Sequence, residues 1–151
     1  MPFTNERLRR FCGWLTPAVS IPNGPGSGFP FPENEVPALI KNHSFFGDFK
    51  ADAVPAAEFQ KLTRFPIVIY YGDFIPKTES TNPHADYWRA AVQMAHRWAD
   101  AVNRYGDVKV IELPDVGISG NSPFPFAEKN SLQVADTFSA WLHEKSLDAR
   151  P

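Results

Sequence analysis

Phe65 to Tyr71 (Phe-Pro-Ile-Val-Ile-Tyr-Tyr) is a short run of β-branched and aromatic residues with no polar alternation. A strand that alternates apolar and polar positions can leave one face in water, whereas one that does not needs cover on both. Gly72-Asp73 ends the run with turn chemistry. A strand of this kind demands a sheet sandwiched between helices, and the residues that follow are patterned to supply them.

A helix is predicted to begin near Asn82-Pro83, with asparagine as N-cap and proline in the first turn. Trp88, Ala91, Val92, Ala95, Trp98, Ala99 and Val102 recur at three- and four-residue steps and form one apolar stripe. Gly106 suits the end of that helix. Val108 to Leu113 reads as the next strand, with Val108, Val110 and Leu113 set against Lys109 and Glu112. A loop over 114–129 follows. The last helix opens at Asn130 or Ser131, where Asn130 and Gln133 have the spacing of a capping box. Its expected buried face is Leu132, Ala135, Phe138 and Leu142, with Trp141 beside it.

Strand, helix, strand, helix at these spacings is a βαβ unit plus one helix, and such a crossover joins parallel strands. Binding and catalysis gather at the carboxyl ends of parallel strands. Here those ends are residues 72–76 and 114–128.

Two strands do not make a complete parallel sheet, and residues 1–60 offer little to extend it. They hold Pro22, Pro25, Pro30, Pro32, Pro37 and Pro55 with Gly24, Gly26 and Gly28, and Asn23 to Gly28 is turn and loop chemistry. The expected division is an irregular segment over 1–60 with at most one strand, around Ala18 to Ile21, and a βαβα unit over 61–151. The chain reads like the second half of a larger domain.

Composition removes several classes of function. At 151 residues, 43% hydrophobic and with four tryptophans, the chain can build a core. A net charge of −2 without a basic run leaves no electrostatic footprint for nucleic acid or a membrane surface. Cys12 is the sole cysteine, so neither an intrachain disulfide nor a cysteine-based metal cluster is possible. No apolar run approaches the ~18–20 residues of a membrane span. Arg9-Arg10 ahead of Phe11 to Ile21, with small Ala18 and Ser20, has a signal-like outline, but Gly13, Thr16 and Pro17 interrupt it. The compartment stays open, with the cytoplasm the simpler reading.

From Glu58 to Asp148 the residues resemble the C-terminal part of an α/β-hydrolase, in an esterase-like bacterial and fungal branch. The matching stretches are Pro66-Ile67-Val68-Ile69-Tyr70-Tyr71-Gly72-Asp73 for the penultimate strand and Val110-Ile111-Glu112-Leu113-Pro114 for the last. Gly117-Ile118-Ser119-Gly120-Asn121-Ser122 corresponds to the histidine loop, and Asn130-Ser131-Leu132-Gln133-Val134-Ala135-Asp136 to the opening of the terminal helix. The resemblance implies a histidine directly after Gly-Asn-Ser. Position 123 is proline, which has no titratable group and no backbone N–H.

The resemblance continues upstream through Pro25-Gly26-Ser27-Gly28-Phe29, Phe31-Pro32-Glu33 and Val36-Pro37. There it implies a glutamate before a Pro-Gly turn. One register puts Gly24 in that slot and the other puts Ile21; Glu33 and Glu35 fall at different family positions. The nucleophile of such enzymes sits in a G-x-S-x-G elbow on an earlier strand, and this chain has no such motif. Gly117-Ile118-Ser119-Gly120-Asn121 comes nearest but lacks the final glycine.

The remaining candidates each have two readings. Asp73, at a strand end, is either a carboxylate that orients an imidazole or a turn aspartate bonded to backbone. Asn121 and Ser122, with Ser119, are either edge residues of a site or ordinary hydrogen-bonding loop residues. Phe29, Phe31, Phe45, Phe46, Phe124 and Phe126 either line an acyl pocket or pack loops and core. His43, His84, His96 and His143 show no metal-ligand spacing, and no cofactor is implied. The resulting expectation is an α/β-hydrolase-like fragment, a pseudoenzyme without catalysis of its own. The alternative is a non-catalytic binding or assembly module that uses exposed sheet and helix faces, with another copy or the missing half of the domain as partner.

Overall fold

The computed structural model describes residues 29–123 and 125–148. Its elements are β1 (Pro30–Pro32), β2 (Asp52–Val54), α1 (Ala56–Leu62), β3 (Pro66–Tyr71), α2 (Pro83–Asn103), β4 (Asp107–Glu112) and α3 (Ser131–Glu144). Two 3-10 turns, Leu113–Val116 and Pro125–Ala127, lie in the connection between β4 and α3. The architecture is mixed α/β, with two parallel strand pairs, β1–β2 and β3–β4.

Strand β3 is the centre of the arrangement. It pairs with β4 in parallel register from Pro66 opposite Asp107 to Tyr71 opposite Glu112. Ile67, Ile69 and Tyr71 share one core with Ala91, Ala95 and Trp98 of α2, while Val68 and Tyr70 share a second with Leu113, Ile118, Val134 and Trp141. The unalternating apolar run is therefore buried on both faces, as its composition demands. Each fully buried side chain of this size contributes roughly 1.5–3 kcal/mol, so β3 is the most heavily stabilised segment of the sheet.

Helix α2 forms where expected. The Asn82 carboxamide oxygen accepts from the His84 and Ala85 N–H groups at 3.0 and 3.2 Å, and Pro83 occupies the first turn. Its buried surface is wider than the expected stripe and includes Ala90, Met94 and Ala101. The segment through β1 adds to this core, with Phe29, Phe31, Ile40 and Phe49 in one cluster with Ala90, Met94 and Ala101. Trp98 Nε1 donates to the Pro30 carbonyl at 2.9 Å, and its ring lies 5.6 Å from that of Phe29.

Three expectations are corrected. Residues 30–62 hold two strands and a helix where at most one strand was expected within 1–60, and α1 runs across the 60/61 division. Three-residue strands, one Pro-Phe-Pro and the other followed by Pro55, carry no periodicity to read; β1 is marked by Phe29 and Phe31 in the core with α2, and β2 by its pairing with β1. The buried face of α3 is Val134 and Trp141, with Phe138 and Leu142 partly buried, while Leu132 is 81% exposed and Ala135 is exposed. Asn130 caps no N–H group of α3 with its side chain, so the capping box does not form. Cys12, Ala18 to Ile21 and Gly24 lie outside the described residues.

Candidate functional site

The loop after β4 folds back onto the end of β3. The Gly72 N–H donates to the Pro123 carbonyl at 3.3 Å and the Asp73 N–H to the Asn121 carbonyl at 3.0 Å. This approach is possible because residue 72 is glycine: a Cβ there would lie 1.7 Å from the Ser122 carbonyl oxygen. Residues 72–76 and 114–128, the two segments expected at the carboxyl edge, are thus joined by main-chain hydrogen bonds.

Asp73 sits at the junction. One carboxylate oxygen accepts from the Gly120 N–H at 2.9 Å and the other from the Phe74 N–H at 2.6 Å. These bonds, the one from Gly120 foremost, hold its carboxyl below the usual aspartate range. The group is an ionised anchor that ties the end of β3 to the loop at Gly120 and bonds the next residue's N–H. Phe74, beside it, has a left-handed backbone at φ 61° and an exposed ring.

Asn121 is fully buried. Its side-chain amide exchanges hydrogen bonds with that of Asn130 at 2.5 and 2.7 Å, and its Nδ2 also lies 3.4 Å from the Pro125 carbonyl. The residue ties the loop to the start of α3, which explains why Asn130 is not free to cap the helix. The Ser122 hydroxyl and N–H both bond Glu128 and hold that carboxyl below its ordinary value. Pro123 is half-buried and contributes its carbonyl to the Gly72 bond, while Ser119 is exposed. Among the described residues the phenylalanines do not converge: Phe29 and Phe31 are in the α2 core, Phe45 and Phe46 are exposed, and Phe126 packs edge-on to Tyr70 at 6.0 Å, while Phe124 lies outside the described residues. Gly24 and Ile21, the two registers of the acid slot, lie outside the described residues.

On the α2 side of the same edge, Glu112 at the end of β4 bonds Lys77 and lies 3.1 Å from His96 Nε2. Burial alone would push its carboxyl up; the Lys77 and His96 hydrogen bonds outweigh this and hold it below the ordinary glutamate value.

The most heavily bonded carboxylate is one the sequence did not single out. Asp86, fully buried in the first turns of α2, receives Arg89 Nε at 2.5 Å, the His43 N–H at 2.8 Å and the Ser80 N–H at 3.0 Å, with His43 Nδ1 also 3.0 Å away. Arg89 is itself buried and donates to the Lys41 carbonyl at 2.7 Å. The signal was present: Asp86, Ala90 and Met94 are four residues apart on a buried row of the helix. Of the remaining histidines, His84 is exposed and His143 lies 2.9 Å from Asp148 at the surface. Among the described residues no group of His, Cys, Asp or Glu side chains could hold a metal ion, and no helix is long and apolar enough to cross a membrane.

Compared with the family models and the curated proteins, the chain matches none.

Proposed function

We propose that this chain is the carboxyl-terminal part of an α/β-hydrolase-like domain of ester-hydrolase ancestry, whose histidine-loop edge holds structure and performs no ester turnover. The observation that carries the reading is the docking of the loop. Asp73, at a strand end where such enzymes keep an acid, is ionised and bonded to the loop at Gly120, yet position 123 presents a carbonyl and a pyrrolidine ring in place of an imidazole. This reading takes Asp73 and the loop as remnants of such a site, with no proton carrier at position 123. Loss of a single member of a catalytic triad lowers turnover by orders of magnitude.

Hydrolysis of p-nitrophenyl acetate and butyrate tests the inactivity. The expected result is no saturable turnover above a heat-denatured control, and saturable turnover would overturn the reading. Pro123→His tests the ancestry of the loop separately. If the slot faces Asp73 as the reading requires, an imidazole at position 123 should titrate above the ordinary histidine value by NMR, because a carboxylate favours its charged form. An imidazole that titrates as it does in a free peptide would count against this being a histidine loop.

One observation favours an assembly role for the same scaffold. Among the described residues β3 and β4 pair only with each other, so each has an outer edge without a strand partner, and unpaired edges are sites for strand addition. Size-exclusion chromatography with light scattering addresses this reading, and a monomer that binds no apolar dye would weigh against it.

A further inference from the structure

At the end of the β3–β4 pair opposite the carboxyl edge, a cleft of about 450 Å³ opens between α1 and the last turn of α2. Its position follows from the chain: Arg64 precedes the start of β3, and Arg104 and Tyr105 precede that of β4. The volume lies within the ~300–1,000 Å³ typical of small-molecule sites. Phe59 and Ala101, both buried, give it an apolar floor.

The rim is cationic and aromatic. The Arg64 guanidinium makes no hydrogen bond or ion pair among the described residues, and Arg104 carries the Glu35 carboxylate as its partner. Two guanidiniums and one carboxylate leave a single positive charge, which suits a monoanion. Glu35 also shows that the rim already receives a carboxylate. Tyr105 lines the same cleft and is 80% exposed, and among the described residues no aromatic ring is stacked on it. Guanidinium forks match carboxylates, and an aromatic rim beside an apolar floor matches a planar apolar body.

We propose that this cleft binds small aromatic carboxylates, with Arg64 taking the carboxylate and Phe59 and Tyr105 the ring. The site is remote from the loop at residues 117–123, so it stands or falls independently of any ester chemistry there.

The test is an amide chemical-shift titration of the full chain with sodium benzoate, with benzyl alcohol as a neutral match. Benzoate should give saturable shifts at Gln60, Arg64 and Tyr105, and benzyl alcohol should bind at least about fivefold more weakly. Arg64→Gln should weaken benzoate about tenfold, the usual loss for one charge-assisted hydrogen bond. Glu35→Gln frees Arg104 and should tighten benzoate severalfold, a gain that misfolding cannot imitate. Equal binding of the two probes, shifts centred elsewhere, or weaker binding by Glu35→Gln would each overturn the proposal.

Discussion

Gly72 and Gly117 show two separate reasons for a glycine. Gly117 ends a 3-10 turn at φ 82°, with open space where a Cβ would stand. Its requirement is backbone conformation alone, and Gly117→Ala should cost ~1 kcal/mol. Gly72 has no such φ, but a Cβ there meets the backbone carbonyl of Ser122 at 1.7 Å. A side chain can rotate away from a collision and a docked backbone cannot. Gly72→Ala should therefore displace the loop or destabilise the fold by roughly 3 kcal/mol, the upper end of overpacking. Urea unfolding measures the loss. Hydrogen exchange locates it, because the Asp73 amide that bonds the Asn121 carbonyl should lose its protection. An unchanged exchange rate at Asp73 with wild-type stability would show that the loop is not docked in this way.

Helix α3 tests how an element chooses its buried face. Val134, Phe138 and Trp141 follow steps of four and three residues, and Phe138 stacks on Trp141 with ring centroids 6.0 Å apart. Leu132 falls off that row and is left in solvent. Leu132→Lys should change stability by no more than ~0.5 kcal/mol, whereas Val134→Ala should cost roughly 2 kcal/mol, and thermal or urea unfolding separates the two. If Leu132→Lys proved the more damaging, the helix would be rotated from the orientation described. The same contrast explains what the residues revealed in advance. β3, β4 and α2 were legible because β3 is an uninterrupted apolar run, β4 alternates in part and α2 carries a long apolar periodicity. β1 and β2 were not, since strands of three residues are defined by what they pack on. At the edge, Asp73 was legible as a strand-end carboxylate, but its bonds to Gly120 and Phe74, and the Asn121–Asn130 pair nine residues apart, depend on loop geometry that no spacing encodes.

Taken as a whole, the molecule is cross-tied by a few carboxylates, which makes its stability sensitive to acid. Asp86 joins α2 to the segments around His43 and Ser80, and its carboxyl is held well below the usual range, by Arg89 most of all and against the opposing effect of burial. Glu112 ties the end of β4 to Lys77 and His96 and is also lowered. A carboxyl with a depressed folded-state value contributes stability that is complete above its unfolded value and lost as pH falls through the folded one. The unfolded references are 3.8 for Asp86 and 4.5 for Glu112. Stability should accordingly be flat from neutral pH down to about 5, and fall progressively below about 4.5. Asp73, Glu128 and Asp148 are lowered too, but salt screens exposed groups far more than buried ones. Urea midpoints between pH 7 and 2.5, with and without 0.5 M NaCl (about a 4 Å screening length), should therefore retain most of the acid-side slope in salt. Asp86→Asn should flatten that slope, and Asp86→Ala should lower stability at pH 7 by on the order of 3 kcal/mol, because it leaves the Arg89 charge buried without its carboxylate. An acid limb that vanished in salt, or that Asp86→Asn left untouched, would assign acid sensitivity to the surface carboxylates and remove Asp86 from its place as the hub.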